Sequence, residues 1–160
     1  MVLKGNQSLE DFVSSKDWFP FNTIYGTSEE KAFVRMLDRQ MEDLRKKYDR
    51  IYLMRNERHF KIYSFDDGQA FEPDFVLFLR EHDGNMLTYQ VFVEPKGKHL
   101  KARDKWKQDF LKQLTEKFEG KTLEFNTLGK TDKFRLVGAP FYNLEDENKF
   151  KQSLYEVVKV

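Results

Sequence analysis

The 160-residue sequence predicts an α/β domain, a mixed β-sheet flanked by α-helices. Three observations predict it. Helix-period segments enclose and interrupt a run of apolar, strand-like segments, in the order α, several β, α, β, β, α. Asp66-Asp67-Gly68 and Asp83-Gly84-Asn85 are turn signals between strand-like segments. Hydrophobic residues make up 39% of the chain and aromatics 16%, ample material for a real core. A domain of this length buries roughly 68–70% of its unfolded surface, which excludes disorder by composition.

Residues 1–26 read as an irregular N-terminal arm, punctuated by Pro20 and Gly26. Its apolar Leu9, Phe12, Val13, Trp18 and Phe19 predict packing on the body, residues 27–160. Residues 28–48 carry Phe33, Val34, Leu37, Met41 and Leu44 at spacings of three and four, the period of an amphipathic helix. Thr27 followed by Glu30 fits a capping box at its start. Strands are expected at 51–54, 58–65, 71–79 and 86–95, the last three as an antiparallel meander. A second helix is expected over 101–118, with Trp106, Phe110, Leu111, Leu114 and Phe118 on one face and Gly120 ending it. Strands at 122–128 and 134–137 follow, the second interrupted at Gly138-Ala139-Pro140 and resumed by Phe141-Tyr142. A helix over 148–158 closes the chain.

The absence of cysteine excludes a disulfide scaffold, a thiol nucleophile and cysteine-based zinc or iron–sulfur sites. No apolar run approaches the roughly 20 residues that span a bilayer, and Met1 to Ser15 lack a signal-peptide core, so a soluble, intracellular protein is expected. The net charge of +1 hides an uneven distribution. Lys96, Lys98, Lys101, Arg103, Lys105 and Lys107 face the single acid Asp104 within twelve residues. Such a segment is either a solvated helix face or the footprint of an anionic partner.

The chemistry gathers at Pro73-Asp74 and Glu94-Pro95-Lys96. Asp74 is expected inside a strand of Phe71, Phe75, Val76, Leu77 and Phe78, and Glu94 and Lys96 at the end of the next. Period-two alternation turns Phe92, Glu94 and Lys96 to one face and Val91 and Val93 to the other. Pairing through the 83–85 turn then brings Asp74 beside Glu94. Two carboxylates set among apolar residues are desolvated and repel each other. A divalent cation relieves both penalties, and Mg²⁺ usually takes one or two protein carboxylates together with waters and substrate phosphate. Lys96 would orient the attacking water and offset phosphate charge. Glu-x-Lys occurs four times in the chain, but only the copy at 94–96 closes an apolar strand that follows a Pro-Asp.

The strand-borne Pro-Asp and the following Glu-x-Lys resemble the PD-(D/E)xK nuclease superfamily. Phe71-Glu72-Pro73-Asp74-Phe75-Val76-Leu77-Phe78 and Val91-Phe92-Val93-Glu94-Pro95-Lys96-Gly97-Lys98-His99-Leu100 are similar to the C-terminal endonuclease domain of type III restriction enzyme Res subunits. The similarity covers residues 25–118. It implies a restriction-endonuclease-like fold and a Mg²⁺-dependent endodeoxyribonuclease, with Mn²⁺ as a substitute, in a prokaryotic cytoplasm. It implies Asp74, Glu94 and the Pro95 carbonyl as metal ligands and Lys96 as the catalytic lysine. It also implies an acid from the first helix, for which Glu30 is the candidate and Glu29 the alternative. Lys98, His99, Lys101, Arg103 and Lys105 would then contact double-stranded DNA through phosphates, with affinity that falls with salt. The alternative for His99 is a simple helix cap.

In the resembled enzymes a helicase/ATPase module drives the nuclease and a separate methyltransferase subunit chooses the sequence; both are implied partners. No ATPase is expected here. Gly120-Lys121-Thr122 imitates the end of a phosphate-binding loop, but Thr115 stands where that loop needs glycine. His59, His82 and His99 are too dispersed for a three-histidine metal site, and no serine sits in a nucleophile elbow. Two alternatives stay open: a DNA-binding or docking module without catalysis on the same scaffold, and a repair or recombination nuclease of the same superfamily.

Overall fold

A computed structural model describes residues 17–18, 27–56, 61–65, 67–81, 87–96, 104–119, 121–127 and 129–158. Helix α1 spans Ser28–Lys47. Thr27 caps it, its hydroxyl accepting from the Glu30 N–H at 3.2 Å, while the Glu30 carboxylate accepts from the Thr27 amide. Glu29 and Glu30 in its first turn and Arg45, Lys46 and Lys47 in its last complement the helix dipole. The helix passes straight into strand β1, Tyr48–Arg55, with no intervening turn.

A five-stranded sheet contains β1, β4 (Phe75–Glu81), β5 (Leu87–Val93), β7 (Lys130–Gly138) and β6 (Leu123–Thr127), in the spatial order β1-β4-β5-β7-β6. β4 pairs antiparallel with both β1 and β5, β5 and β7 pair in parallel, and β6 and β7 pair antiparallel. The parallel pair needs a crossover, which includes helix α2, Lys105–Phe118. Helix α3, Glu147–Val158, follows the sheet. The fold is thus the expected mixed sheet with flanking helices.

Both faces are covered, so the strands read as nearly continuous apolar runs rather than clean alternations. Leu53, Phe75, Leu77, Leu79, Tyr89, Val91 and Val93 form one core with Phe33, Val34 and Leu37 of α1 and Phe150 and Leu154 of α3. Val76 and Phe92 form a second core with Phe71 and with Phe110, Leu111 and Leu114 of α2. At Gly138 the α2 backbone comes so close to β7 that a Cβ atom would lie 2.1 Å from the Leu111 carbonyl oxygen. Thr115 ties the same point: the Gly138 N–H donates to its hydroxyl, which donates to the Gly138 carbonyl, both at 2.8 Å.

The meander differs from the expectation in its first member. The central sheet takes β1, not the 58–65 segment, because Ile51 and Leu53 supply an apolar face that pairs with Leu79 and Leu77. Among the described residues of 58–65, β2 (Ile62–Tyr63) pairs with β3 (Ala70–Phe71) in a separate two-stranded ribbon. Gly68, with φ 71°, takes the left-handed conformation its turn requires. The described part of the second helix begins at Lys105, residues 101–103 lying outside the described residues, and β7 is longer than expected. Asp17 and Trp18 are the described part of the arm; Trp18 is buried in the first core, and its carbonyl accepts from the Leu53 N–H at 2.8 Å. The rest of the arm and the 83–85 turn lie outside the described residues. No helix among the described residues is long and apolar enough to cross a membrane.

Candidate active site: an acidic cluster at the strand ends

The β4–β5 ladder ends with Phe75 opposite Val93. The next residue on each chain is Asp74 and Glu94, so the register sets the two acids against each other. Asp74 stands one residue before β4, not inside it as the sequence suggested. The preceding Pro73 has no N–H to continue a ladder. The Asp74 carbonyl is held instead by the Asn56 N–H at 2.8 Å, just past the end of β1.

Beyond β5 the chain stays extended because Tyr142 clasps it. The Glu94 carbonyl accepts from the Tyr142 N–H at 3.1 Å, and the Lys96 N–H donates to the Tyr142 carbonyl at 2.8 Å. Pro95 forms the bridge between them. The Pro95 carbonyl is not one of the groups Tyr142 uses, and strand alternation directs it to the opposite edge, the side of β4. Extended geometry puts the side chains of Glu94 and Lys96 on one side, with Nζ 3.5 Å from Oε1.

Glu94 is 3% exposed, the one fully buried charged residue among those described. Its Oε2 has no hydrogen-bond partner. Burial pushes its carboxyl up, against the pull of Lys96 and Lys107. Asp74 is lifted to about 6, by burial first and then by the Glu94 charge. Glu30 is lifted to about 7, by burial first and then by the Asp74 charge. Asp74 lies within hydrogen-bonding reach of both neighbours, so a proton on Glu30 can bridge to Asp74 and one on Asp74 to Glu94. The structure therefore links Glu30, Asp74 and Glu94 in a chain and sets Lys96 beside its last member. Glu29, the alternative from the same helix turn, is engaged by the Ser28 hydroxyl at 2.9 Å.

Among the described residues no three His, Asp or Glu side chains are already arranged as a metal cage. Mg²⁺ does not need one, since it retains waters and takes one or two carboxylates from the protein. The donor set is hard oxygen, and Oε2 of Glu94 and Oε2 of Glu30 are buried acceptors with no hydrogen-bond donor. On those grounds Asp74, Glu94 and the Pro95 carbonyl fit a hard divalent cation.

Two cations at the cluster were not legible as site residues. Arg55, the last residue of β1, sits 3.6 Å from Glu30 Oε2. Lys107 of α2 acts on Glu94 and pairs with Asp104 at 3.6 Å. Of the expected DNA contacts, Lys105 opens α2 and is exposed, whereas Lys98, His99, Lys101 and Arg103 lie outside the described residues.

Fold and site together define a mixed-sheet α/β domain with a buried acidic cluster and a lysine where two strands end. A family model described as "HI_1054_C: C-terminal domain" matches residues 3–158, and the chain belongs to that family. It is 36% identical over 143 residues to an uncharacterised protein of Haemophilus influenzae, an alignment covering 84% of this chain. The aligned part spans 30% of that relative's length. No solved structure matches the chain.

Proposed function

We propose that this domain is a divalent-metal-dependent DNA endonuclease that hydrolyses phosphodiesters by direct attack of water, without a covalent intermediate. The observation that carries the reading is Glu94: buried, one oxygen unpartnered, opposed to a second acid by strand register, and 3.5 Å from a lysine two residues on. A charged side chain so placed is expensive in a fold that needs it only for structure.

Asp74, Glu94 and the Pro95 carbonyl would hold Mg²⁺ or Mn²⁺. The ion, when bound, lowers the pKa of water and neutralises charge growing on phosphoryl oxygen. Lys96 is only partly exposed and is tethered by Glu94, so its ammonium is presented at the site rather than dispersed in solvent. There it donates to the attacking water or to a non-bridging phosphate oxygen. The water oxygen bonds to phosphorus as a bridging P–O bond breaks, and the proton the water gives up ends, through solvent, on the leaving alkoxide. Glu30 sets the charge and orientation of Asp74 from the helix side. The basic segment from Lys96 to Lys107 would supply sequence-independent phosphate contacts.

The resemblance to type III restriction Res subunits, with a helicase/ATPase module and a methyltransferase as partners, belongs to this proposal. A repair or recombination nuclease is the same chemistry on another DNA structure. The test is nicking of supercoiled plasmid with Mg²⁺ or Mn²⁺ and with EDTA, for the wild type and Lys96→Ala. Metal-dependent nicking that Lys96→Ala removes supports the reading. DNA binding with no nicking under any metal identifies a docking module instead.

A further inference from the structure

The metal-site reading gives no role to Arg55, yet this residue is tied to the cluster from two directions. Its neighbour Asn56 donates its N–H to the Asp74 carbonyl at 2.8 Å, so the end of β1 is anchored to the backbone of an acid in the cluster. The β1–β4 register sets Arg55 opposite Phe75, whose side chain belongs to the core packed on α1, the helix that carries Glu30. The guanidinium then lies 3.6 Å from Glu30 Oε2, with side-chain exposures of only 21% and 13%.

That distance is informative. At 3.6 Å the contact is an ion pair and not a hydrogen bond, so it attracts Glu30 Oε2 without occupying its lone pairs. The Glu30 carboxylate also accepts from the Thr27 amide, which belongs to the helix cap. The carboxylate is thus held by the cap on one side and drawn by Arg55 on the other, while Oε2 stays buried and uncommitted. A pair meant only to staple α1 to β1 would gain more from a bidentate fork, the geometry that makes arginine–carboxylate pairs strong. In β1 that fork exists elsewhere: Arg80 binds both oxygens of Asp49 at 2.9 Å.

We propose that Arg55 is a positioning residue that holds the Glu30 carboxylate toward Asp74, so that Glu30 in turn orients Asp74 for the dication that Asp74 and Glu94 would bind. The inference rests on the metal-dependent reading of this cluster and extends it to a residue acting through Glu30. Arg55 itself touches neither the ion nor the substrate in this arrangement.

The test is calorimetric titration of Mn²⁺ into the metal-free chain without DNA, for the wild type, Arg55→Gln, Arg55→Lys, Glu30→Gln and the Glu30→Gln/Arg55→Gln double variant. Removing a partner that orients a metal-site carboxylate typically costs roughly 10–100-fold in affinity. Arg55→Gln should lose about that much, Glu30→Gln a similar amount, and the double variant no more than Glu30→Gln alone. Arg55→Lys, which keeps the charge and folds with less disturbance, should recover part of the loss. Wild-type affinity in Arg55→Gln, or losses that multiply in the double variant, would overturn the role of Arg55 and leave the metal site standing. A wild type that binds no Mn²⁺ would remove the metal site, and the role of Arg55 with it.

Discussion

Asp74→Asn should make the metal-free protein more stable at neutral pH. In the folded chain burial, and then the Glu94 charge, raise the Asp74 carboxyl from 3.8 to about 6; Glu30 is raised from 4.5 to about 7 by burial and then by Asp74. A carboxyl with a raised folded value binds its proton more tightly in the native state than in the unfolded one. The stability it contributes is therefore complete below about pH 4, declines as pH rises, and is gone above about pH 7. At about 1.4 kcal/mol per pH unit, ionising Asp74 costs the folded protein about 3 kcal/mol at pH 8. The asparagine amide must find partners in the same space, which leaves a net gain of about 1–2 kcal/mol. For a chain of this length that is a rise of about 2–8 °C in melting temperature. Thermal unfolding in EDTA at pH 4.5 and pH 8 measures it, and the advantage of the variant should shrink markedly at the lower pH. Saturating Mn²⁺ should reverse the order, since an ion at a hundred times its Kd stabilises the wild type by about 2.7 kcal/mol and the variant far less. A variant that melts at or below the wild type at pH 8 in EDTA would refute this account of the cluster's electrostatics.

Asp74→Ala, Glu94→Ala and Lys96→Ala should each reduce plasmid nicking by roughly 10²-fold or more while leaving the circular dichroism spectrum unchanged; full activity in any of them refutes its assigned role. Gly138→Ala should lose about 1–3 kcal/mol or more in urea unfolding, because the new methyl meets the α2 backbone at Leu111, which has no rotamer to yield. Thr115→Val leaves the Gly138 N–H without its hydroxyl partner and should lose about 1–3 kcal/mol in the same assay. Phe33→Ala empties a fully buried position where the ring meets Phe75, Tyr142 and Phe150, and should lose about 3–5 kcal/mol.

What could be read from the chain was what neighbouring residues determine. The stripe from Phe33 to Leu44 and the Thr27 cap are local patterns, and α1 follows them closely. The opposition of Asp74 and Glu94 was legible too, since two apolar strands separated by only five residues of sequence leave few registers open. Partner choice among strands was not. Tyr48 enters β1 directly from a helix with no turn residue between, whereas the alternating 58–65 segment looked like the better strand, and of its described residues Ile62–Tyr63 pair in a ribbon. Arg55 has no local pattern that separates it from other arginines; its place at the cluster comes from pairing with Phe75, 20 residues on. Lys107 was visible only as part of a basic run, because its reach to Glu94 depends on how α2 packs. Tyr142 was expected to extend a strand, but its clasp on Glu94 and Lys96 arises only because β7 lies parallel to β5.

In the proposed site the opposed acids at the ends of β4 and β5 would hold one dication beside Lys96. Anomalous diffraction at the manganese edge, from crystals soaked in Mn²⁺, tests it most directly. The expected result is a peak ligated by the carboxylates of Asp74 and Glu94 and by the Pro95 carbonyl. Mn²⁺ bound elsewhere with none at this cluster, and Lys96 folded down to neutralise both acids, would contradict it.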